Sequence, residues 1–332
     1  MSVECEGISS RTLRGEVPTV NTQNIDHLPS LPMVSQEQLS RSVWKLVDAV
    51  PGFEGEGFPV NRAFANLSAS ETDPFVMMDE MGAVEYEAGE PKGTPWHPHR
   101  GFETVTYIID GTFKHRDSHG GGGVISDGDT QWMTAGSGLL HIETPPEELV
   151  ISGGLFHGIQ LWVNLSRQLK WVAPKYQDIR SGQLKLLRSR DSGAFIRIIA
   201  GTVNSIIGPG VTHSPINLFH ASVDPSCPLE MSWPTRFNAL AYVLSGIGYV
   251  GEELIPIHGG QTCLFGEGDK ILVTAAEIQE SRSPKLEVLL LGGLPIREPM
   301  SWYGPFVMNS DQELKEAFED FHAGKLGTIP VD

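Results

Sequence analysis

The sequence has few of the residues that cross-link secreted proteins and no long apolar segment. It contains only three cysteines, Cys5, Cys227 and Cys263, which lie far apart along the chain. So few scattered thiols make neither a disulfide framework nor a cysteine-rich metal site, and they fit a reducing compartment. No apolar run approaches the roughly 18 residues needed to cross a bilayer, and the N-terminus lacks an apolar signal segment. The sequence therefore predicts a cytoplasmic protein without a membrane partner.

Positive charge is also scarce. The chain has 24 lysines and arginines against 41 acidic residues, so its formal net charge is −17 at pH 7. No basic run is longer than two residues. A nucleic-acid surface needs clustered Lys and Arg to displace counterions from phosphates. We therefore expect no direct nucleic-acid binding. An acidic protein can still bind a basic protein partner.

Turn-forming residues are abundant and favour an all-β fold. The 332 residues include 37 glycines and 23 prolines, scattered without a period, and 40% of the residues are hydrophobic. Many short elements joined by turns give this composition. Short apolar runs at 60–64, 104–109, 155–163 and 195–200 read as strands. The length suggests two domains.

A faint internal repeat supports two similar β-domains in tandem. Residues 105–111 (VTYIIDG) resemble 240–246 (LAYVLSG), at an offset of 242 − 107 = 135. The polar segment 174–183 is the candidate linker between them. We therefore divide the chain into a polar arm at 1–42, disordered or laid over the body, a first domain at 43–175 and a second at 176–332.

One helix is predicted, near the C-terminus. Ser310 is a candidate N-cap, and Glu313 follows three residues later as in a capping box. Apolar residues then recur on one helical face, and Gly324 can end the helix. The members of that face are Leu314, Ala317, Phe318 and Phe321.

Two short motifs carry the candidate chemistry. His97 and His99 flank Pro98, and side chains two apart on a strand share one face with Cα atoms roughly 6.6 Å apart. Pro98 cannot donate to a sheet ladder, so this strand should be an edge or irregular strand. His141 and Glu143 have the same spacing. If the two segments are neighbours, three imidazoles and a carboxylate converge into a set that suits iron, zinc, nickel, copper or manganese. Either pair alone is often incidental.

These motifs belong to longer runs that resemble the pirin family, a branch of the cupin superfamily. The runs are HPHRGFETVTY at 97–107, QWMTAGSGLLHIE at 131–143, DPFVMMD at 73–79 and GPFVMN at 304–309. The resemblance spans about residues 58–324. It implies two tandem cupin barrels of the jelly-roll type with a short C-terminal helix. It also implies iron(II) in the N-terminal barrel alone, held by the residues matching His97, His99, His141 and Glu143.

Two points of the ligand assignment depend on that resemblance. Cupins in general use a glutamate a few residues after His-x-His, where Glu103 stands, whereas pirins use the glutamate matching Glu143, which we favour. The repeat offset maps His97, His99 and Glu103 onto Ser232, Pro234 and Asn238. Serine and proline at these positions are poor ligands, so the second barrel is expected to hold no metal.

The resemblance implies two functions from different classes. One is an iron-dependent dioxygenase that uses oxygen to cleave a flavonol such as quercetin, or another small aromatic substrate, with Glu143 as the proton acceptor. The other is a non-catalytic, redox-sensitive regulator that binds transcription or metabolic partner proteins. Both functions need the same ligands, so the sequence does not separate them.

Several other features are interpreted as structural. Residues 246–251 fit G-x-G-x-x-G, but Pro256 and two glycines follow where a dinucleotide fold needs a helix. His115 and His119 are either rim groups of the site or surface histidines, and we favour the surface. Arg100 either attracts an anionic substrate at the mouth or forms a scaffold salt bridge, and we favour the salt bridge. The remaining histidines of the body carry no pattern and are taken as structural: His157, His213, His220 and His258.

Overall fold

Short antiparallel strands build almost the whole molecule. The structure is a computed structural model that describes residues 27–279 and 282–330. Its first half contains these strands: β1 (Val43–Asp48), β2 (Val50–Glu54), β3 (Phe58–Arg62), β4 (Phe75–Tyr86), β5 (His97–His99), β6 (Phe102–Asp110), β7 (Thr112–Asp117), β8 (Gly122–Ser126), β9 (Thr130–Thr134), β10 (Leu139–Thr144), β11 (Gly154–Asn164) and β12 (Lys175–Ile179).

The second half adds fourteen strands, and three α-helices occur in the described residues. The strands are β13 (Lys185–Arg188), β14 (Ala194–Ala200), β15 (Thr202–Val203), β16 (Ile206–Ile207), β17 (Ile216–Val223), β18 (Pro228–Ser232), β19 (Leu240–Ser245), β20 (Ile247–Val250), β21 (Ile255–His258), β22 (Gln261–Phe265), β23 (Lys270–Ala275), β24 (Leu286–Gly293), β25 (Ser301–Tyr303) and β26 (Phe306–Met308). The helices are α1 (Ala69–Thr72), α2 (Glu147–Ser152) and α3 (Asp311–His322).

The strands form two β-barrels, each made of a seven-stranded and a four-stranded sheet. The first barrel joins the sheet β12-β9-β6-β11-β4-β3-β2 to the sheet β5-β10-β7-β8. The second joins β1-β22-β19-β24-β17-β14-β13 to β18-β23-β20-β21. Burial alternates along β18 and β23, as expected when one strand face lines a barrel. The predicted all-β double barrel is therefore confirmed.

The two seven-stranded sheets also pack against each other. A shared apolar cluster takes residues from both, among them Val105 and Ile159 from the first barrel and Leu240 and Leu289 from the second. Sheet faces that bury apolar side chains on both sides read as nearly continuous hydrophobic runs. Strand β6 is accordingly buried along almost its whole length.

Two segments pair outside the domain to which the sequence assigned them. Strand β1 pairs with β22 of the second barrel, although we expected residues from 43 onward in the first. Strand β12 pairs with β9, so the expected linker at 174–183 is wrong in its first half. Only Ile179 of β12 is fully buried. An edge strand of this kind keeps polar side chains toward solvent and reads as a linker.

The C-terminal segment returns to the first barrel. The Ser310 side chain caps α3 by accepting from the backbone amide of Glu313, as predicted. The Glu313 carboxylate accepts from the backbone amide of Asn309, whereas in a capping box it would accept from the backbone amide of Ser310. The predicted apolar face packs on Phe306 and Leu140. The expected scaffold salt bridge of Arg100 is also present, since its guanidinium contacts Asp320 at 2.9 Å. The C-terminal tail therefore packs on the first barrel, although it follows the second barrel in sequence.

Residues 27–42 of the arm lie over the second barrel. Leu31 is buried in that barrel's core, and its amide donates to Arg188. The guanidinium of Arg41 donates to the carbonyls of Gly266, Pro234 and Phe237. The rest of the arm and Cys5 lie outside the described residues. The G-x-G-x-x-G run forms β20 and no helix, which confirms that it is not a dinucleotide fold.

Candidate metal centre

Two adjacent strands at one edge of the first barrel bring the candidate ligands together. Strand β5 pairs antiparallel with β10, and His97 lies opposite His141. Strand β5 is the edge strand of its sheet, the position predicted from Pro98. Because residues two apart share a face, His97, His99, His141 and Glu143 all project from the same side of this pair.

The three imidazoles converge on one point. Their ring nitrogens can be chosen so that all lie within 4.8 Å of one another. The Nε2 atoms of His97 and His99 are 3.1 Å apart, and the ring centroids of His97 and His141 are 4.2 Å apart. This spacing is that of nitrogens grouped around a common centre.

Backbone carbonyls orient two of the rings. His97 Nδ1 lies 2.8 Å from the Pro95 carbonyl, and His99 Nδ1 lies 3.2 Å from the Pro305 carbonyl. A carbonyl can only accept, so each Nδ1 carries the proton and each Nε2 keeps a free lone pair. Burial lowers the pKa of all three histidines below its ordinary value, and the rings are therefore neutral near pH 7. Neutral imidazole is the form that binds a metal.

His141 provides the test of whether a metal fits. Its side chain is fully buried, and neither ring nitrogen has a hydrogen-bond partner among the described residues. Buried polar atoms are nearly always satisfied, and an unsatisfied one costs roughly 1–3 kcal/mol. A transition metal at the centre of the three rings would satisfy this nitrogen, so the donor set fits such an ion.

Glu143 adds a carboxylate to the same cavity. It is buried beside His97 and His99, and its Oε1 accepts from the Thr106 hydroxyl at 3.2 Å. Burial raises its pKa to about 7. The group of ring nitrogens within 4.8 Å does not include Glu143. The chain thus presents three close imidazoles with an acidic side chain next to them.

Glu103 faces the other way. It lies on β6 with Val105 and Tyr107, whose side chains pack into the apolar cluster between the barrels. Thr106, which contacts Glu143, occupies the opposite face of this strand. The Glu103 carboxylate accepts instead from the Thr134 hydroxyl at 2.7 Å. It is therefore directed away from the three histidines.

A cavity of about 520 Å³ opens at the histidines. Its walls are mainly apolar, and they also include charged groups. The apolar side chains are Phe58, Val60, Met77, Met81, Phe113, Trp162 and Trp302. The charged groups are Glu54, Arg62 and Asp79. Such a cavity has the size and composition of a small-molecule site.

The tail supplies part of this cavity, which the sequence argument missed. Trp302, Gly304 and Pro305 line it although they lie about 200 residues after His97. The run at 304–309 was one of the four motifs of the family resemblance. That motif was the available signal that the tail belongs to the site, because no residue spacing indicated it. Lys170 anchors the tail by donating to the carbonyls of Val307 and Gly101 and to Asn164, each at 2.8 Å.

The expectation that His115 lies on the surface is wrong. It is 3% exposed, pairs across the sheet with Glu143, and stacks on Tyr176 at 5.4 Å between ring centroids. Its Nε2 lies 3.5 Å from Asp178. Strand β12 covers this face, and because that segment was taken as a linker its covering role was not foreseen.

The second barrel has no comparable group among the described residues. Ser232 ends β18 and hydrogen-bonds Gln38, and the Asn238 amide donates to the Asp73 carbonyl. The positions that correspond to the metal motif are thus used for structural contacts.

Comparison with known proteins identifies the family. Residues 57–163 match the Pirin family model, and residues 218–327 match the Pirin C-terminal cupin domain. Pirin-like protein 2 of Arabidopsis thaliana is 38% identical over 298 residues, which cover 88% of either chain. The chain belongs to the pirin family. Its two barrels are therefore the two cupin domains of a pirin.

Solved pirin-type structures share this architecture. A quercetin 2,3-dioxygenase from Acinetobacter baumannii superposes with a TM-score of 0.82 at 34% identity, covering 88% of this chain and all of that one. The bacterial pirin YhhW of Escherichia coli, solved with nickel(II), superposes with a TM-score of 0.57 at 19% identity over 76% of this chain and 99% of its own. The latter likeness shows the shared fold. Separately, none of the helices in the described part of this pirin is long and apolar enough to span a bilayer.

Proposed function

We propose that this pirin is a dioxygenase that binds iron(II) through His97, His99, His141 and Glu143 and cleaves a flavonol such as quercetin. The observation that carries the proposal is the convergence of three neutral imidazoles, two of which, His97 and His99, line an apolar cavity. The similarity to a quercetin 2,3-dioxygenase supports the substrate class.

The cavity suits a flat aromatic substrate. Its volume of about 520 Å³ lies within the usual range for small-molecule sites. The rings of Phe58, Phe113, Trp162 and Trp302 offer stacking surfaces to an aromatic ligand. The same walls exclude water from the reacting atoms.

The residues around the metal position have separable roles. When bound, iron supplies a Lewis acid and a one-electron redox centre. The Glu143 carboxylate accepts the proton of a substrate hydroxyl. Thr106 donates to Glu143 and contacts Gln160 at 2.5 Å, so it fixes the orientation of the acceptor.

The ion itself is part of the proposal. Three imidazoles and one carboxylate also suit nickel, copper, zinc and manganese, and geometry and availability select among these ions. We favour iron because the family resemblance implies it. Reconstitution of the metal-free protein with each ion in turn, followed by the same activity assay, compares them directly.

Turnover of quercetin by the iron(II)-loaded full-length chain tests the proposal. We expect oxygen uptake coupled to loss of quercetin absorbance, and no activity in His97→Ala. His258→Ala, a change at an exposed histidine of the second barrel, is the matched control and should keep full activity. Inactivity of the protein with every ion would exclude the dioxygenase and leave the redox-sensitive regulator, whose partner binding should then depend on the oxidation state of iron.

A further inference from the structure

A second cavity lies between the two barrels and shares no candidate ligand with the metal centre. Its volume is about 840 Å³, compared with about 520 Å³ at the histidines. The first barrel contributes Tyr107 and His157 to its lining, and the second contributes His220 and Glu287. Interfaces between domains are common places for small-molecule sites.

Polar residues at this interface between the barrels occupy equivalent strand positions in the first and second barrels. In the first, Ile159 pairs with Glu80 on one side and Tyr107 on the other. In the second, Leu289 pairs with His220 and Tyr242. Glu80 therefore corresponds to His220, and the two tyrosines correspond to each other. The offset of the tyrosines is the 135 residues of the sequence repeat.

A third pair of positions completes this correspondence. His157 lies two residues before Ile159, and Glu287 lies two residues before Leu289. Glu80 and His157 of the first barrel therefore correspond to His220 and Glu287 of the second, so glutamate and histidine have exchanged positions. Each barrel supplies one tyrosine, one histidine and one glutamate to the interface.

The tyrosines cross from one barrel to the other. Tyr107 donates to His220 Nδ1 at 2.8 Å, and His220 Nε2 donates to Glu287 at 3.1 Å. The Tyr242 hydroxyl donates to Glu80 at 2.6 Å, and Glu80 also accepts from His157 Nε2 at 2.9 Å. Each oxygen of the two buried carboxylates therefore accepts from at least one protein donor, since Ser283 donates to the other oxygen of Glu287.

One buried polar atom of this cavity lacks a hydrogen-bond partner among the described residues, and it is a donor. Arg282 pairs with Asp110 through Nη2, while its buried Nη1 has no hydrogen-bond partner among the described residues. Arg197 lies in the same cavity and donates to Ser222. A buried guanidinium nitrogen without an acceptor is costly, and an anionic ligand group would satisfy it.

The cavity also has apolar walls and acidic side chains. The apolar contributors are Ala49, Ala83, Ile109, Leu184, Leu186 and Leu244. Asp48 and Asp127 line the same cavity as Glu80 and Glu287. A ligand with two or more negative charges would be repelled by these carboxylates, whereas a single carboxylate can pair with arginine.

We propose that the cavity between the barrels binds a small organic monocarboxylate with an apolar body, whose carboxylate pairs with Arg282. The site is independent of the metal centre and of its chemistry. The apolar body lies against the leucines, and the carboxylate replaces the missing acceptor of the guanidinium.

Calorimetric titration of the full-length protein with 2-naphthoate tests this site. We expect saturable binding of one molecule per chain. The neutral 2-naphthamide and naphthalene-2,6-dicarboxylate should bind at least about 10-fold more weakly. Arg282→Gln should weaken 2-naphthoate binding by about 10- to 100-fold, the size of a lost hydrogen bond to a charged group. Arg167→Gln, at an exposed arginine outside the cavity, is the control and should bind normally.

Further variants locate the ligand and guard against unfolding. His97→Ala should keep naphthoate binding, because the carboxylate does not sit on the metal. Leu186→Trp leaves the Arg282–Asp110 pair intact but fills the cavity, so it should abolish binding even if Arg282→Gln fails to fold. Lack of saturable binding, equal binding of the amide, unchanged binding by Leu186→Trp, or loss of binding in His97→Ala would overturn the proposal.

Discussion

Glu103 and Glu143 lie on opposite sides of strand β6. Thr106 of this strand faces the barrel interior and donates to Glu143, whereas Glu103 shares the other face with Tyr107 and accepts from Thr134. Because strand residues alternate between two faces, no rotation of the Glu103 side chain brings its carboxylate into the cavity of the histidines. The two candidate fourth ligands are therefore separated by the thickness of the sheet.

The first prediction follows from this separation. Glu143→Gln should weaken iron binding by at least about 100-fold, since even the partners of a ligand contribute about 10- to 100-fold. The amide is a poorer ligand and accepts no proton, so flavonol oxidation should also be lost. Glu103→Gln is the matched control and should keep its metal, which elemental analysis measures. Metal retained in Glu143→Gln but lost in Glu103→Gln would refute our assignment.

The sequence was sufficient for the elements whose signal is local. The His-x-His spacing predicted a shared face, Pro98 predicted an edge strand, and Ser310 predicted the start of the C-terminal helix, all of which the structure confirms. Each of these features is determined by residues only two to four positions apart. The family motifs then supplied the double barrel, which no local pattern specifies.

Contacts between distant segments could not be predicted in this way. His115 looked exposed because β12, which covers it, resembles a polar linker. Trp302 and Pro305 reach the metal cavity because Lys170, the Arg100–Asp320 pair and the apolar face of α3 hold the tail on the first barrel. The polar network between the barrels depends on Tyr107 meeting His220, 113 residues away. Such pairings depend on how two sheets pack together, which the sequence of a single strand does not indicate.

The second prediction concerns the number of metal ions and their part in folding. We expect one iron per chain after reconstitution, because the described residues contain one group of converging ligands. His141→Ala should bind none and should still unfold cooperatively in urea, since the barrel cores are apolar and separate from the site. Two equivalents of iron, or a metal-free variant without a cooperative transition, would be incompatible with this view.

The third prediction tests the anchor of the tail. Lys170→Met leaves three buried acceptors without their donor, on Gly101, Asn164 and Val307. We expect a loss of about 3 kcal/mol in the free energy of unfolding, together with faster hydrogen exchange at 301–308. Lys315→Met, at an exposed lysine of α3, is the control and should change stability by less than about 0.5 kcal/mol. Unchanged exchange in the tail of Lys170→Met would show that this lysine does not hold it.

The last prediction concerns Asp79 in the wall of the metal cavity. This residue is 2% exposed, its Oδ2 has no hydrogen-bond partner among the described residues, and the Arg62 guanidinium is 3.9 Å away. Burial raises the pKa of this carboxyl from 3.8 to about 7. Between these pH values the folded state binds a proton that the unfolded state has released. Asp79 therefore makes the protein less stable as the pH rises from about 4 to about 7.

Replacement by asparagine removes this dependence. The pKa difference of about three units corresponds to at most about 4 kcal/mol, so Asp79→Asn should be more stable than the parent protein by up to that amount at pH 8. The advantage should shrink below pH 7 and vanish near pH 4. Glu85→Gln, at an exposed site on the same strand, is the control and should show no such trend. Urea unfolding of the metal-free proteins from pH 4 to pH 8 measures the difference. A constant difference across this range would show that Asp79 stays ionised in the folded protein, satisfied by Arg62.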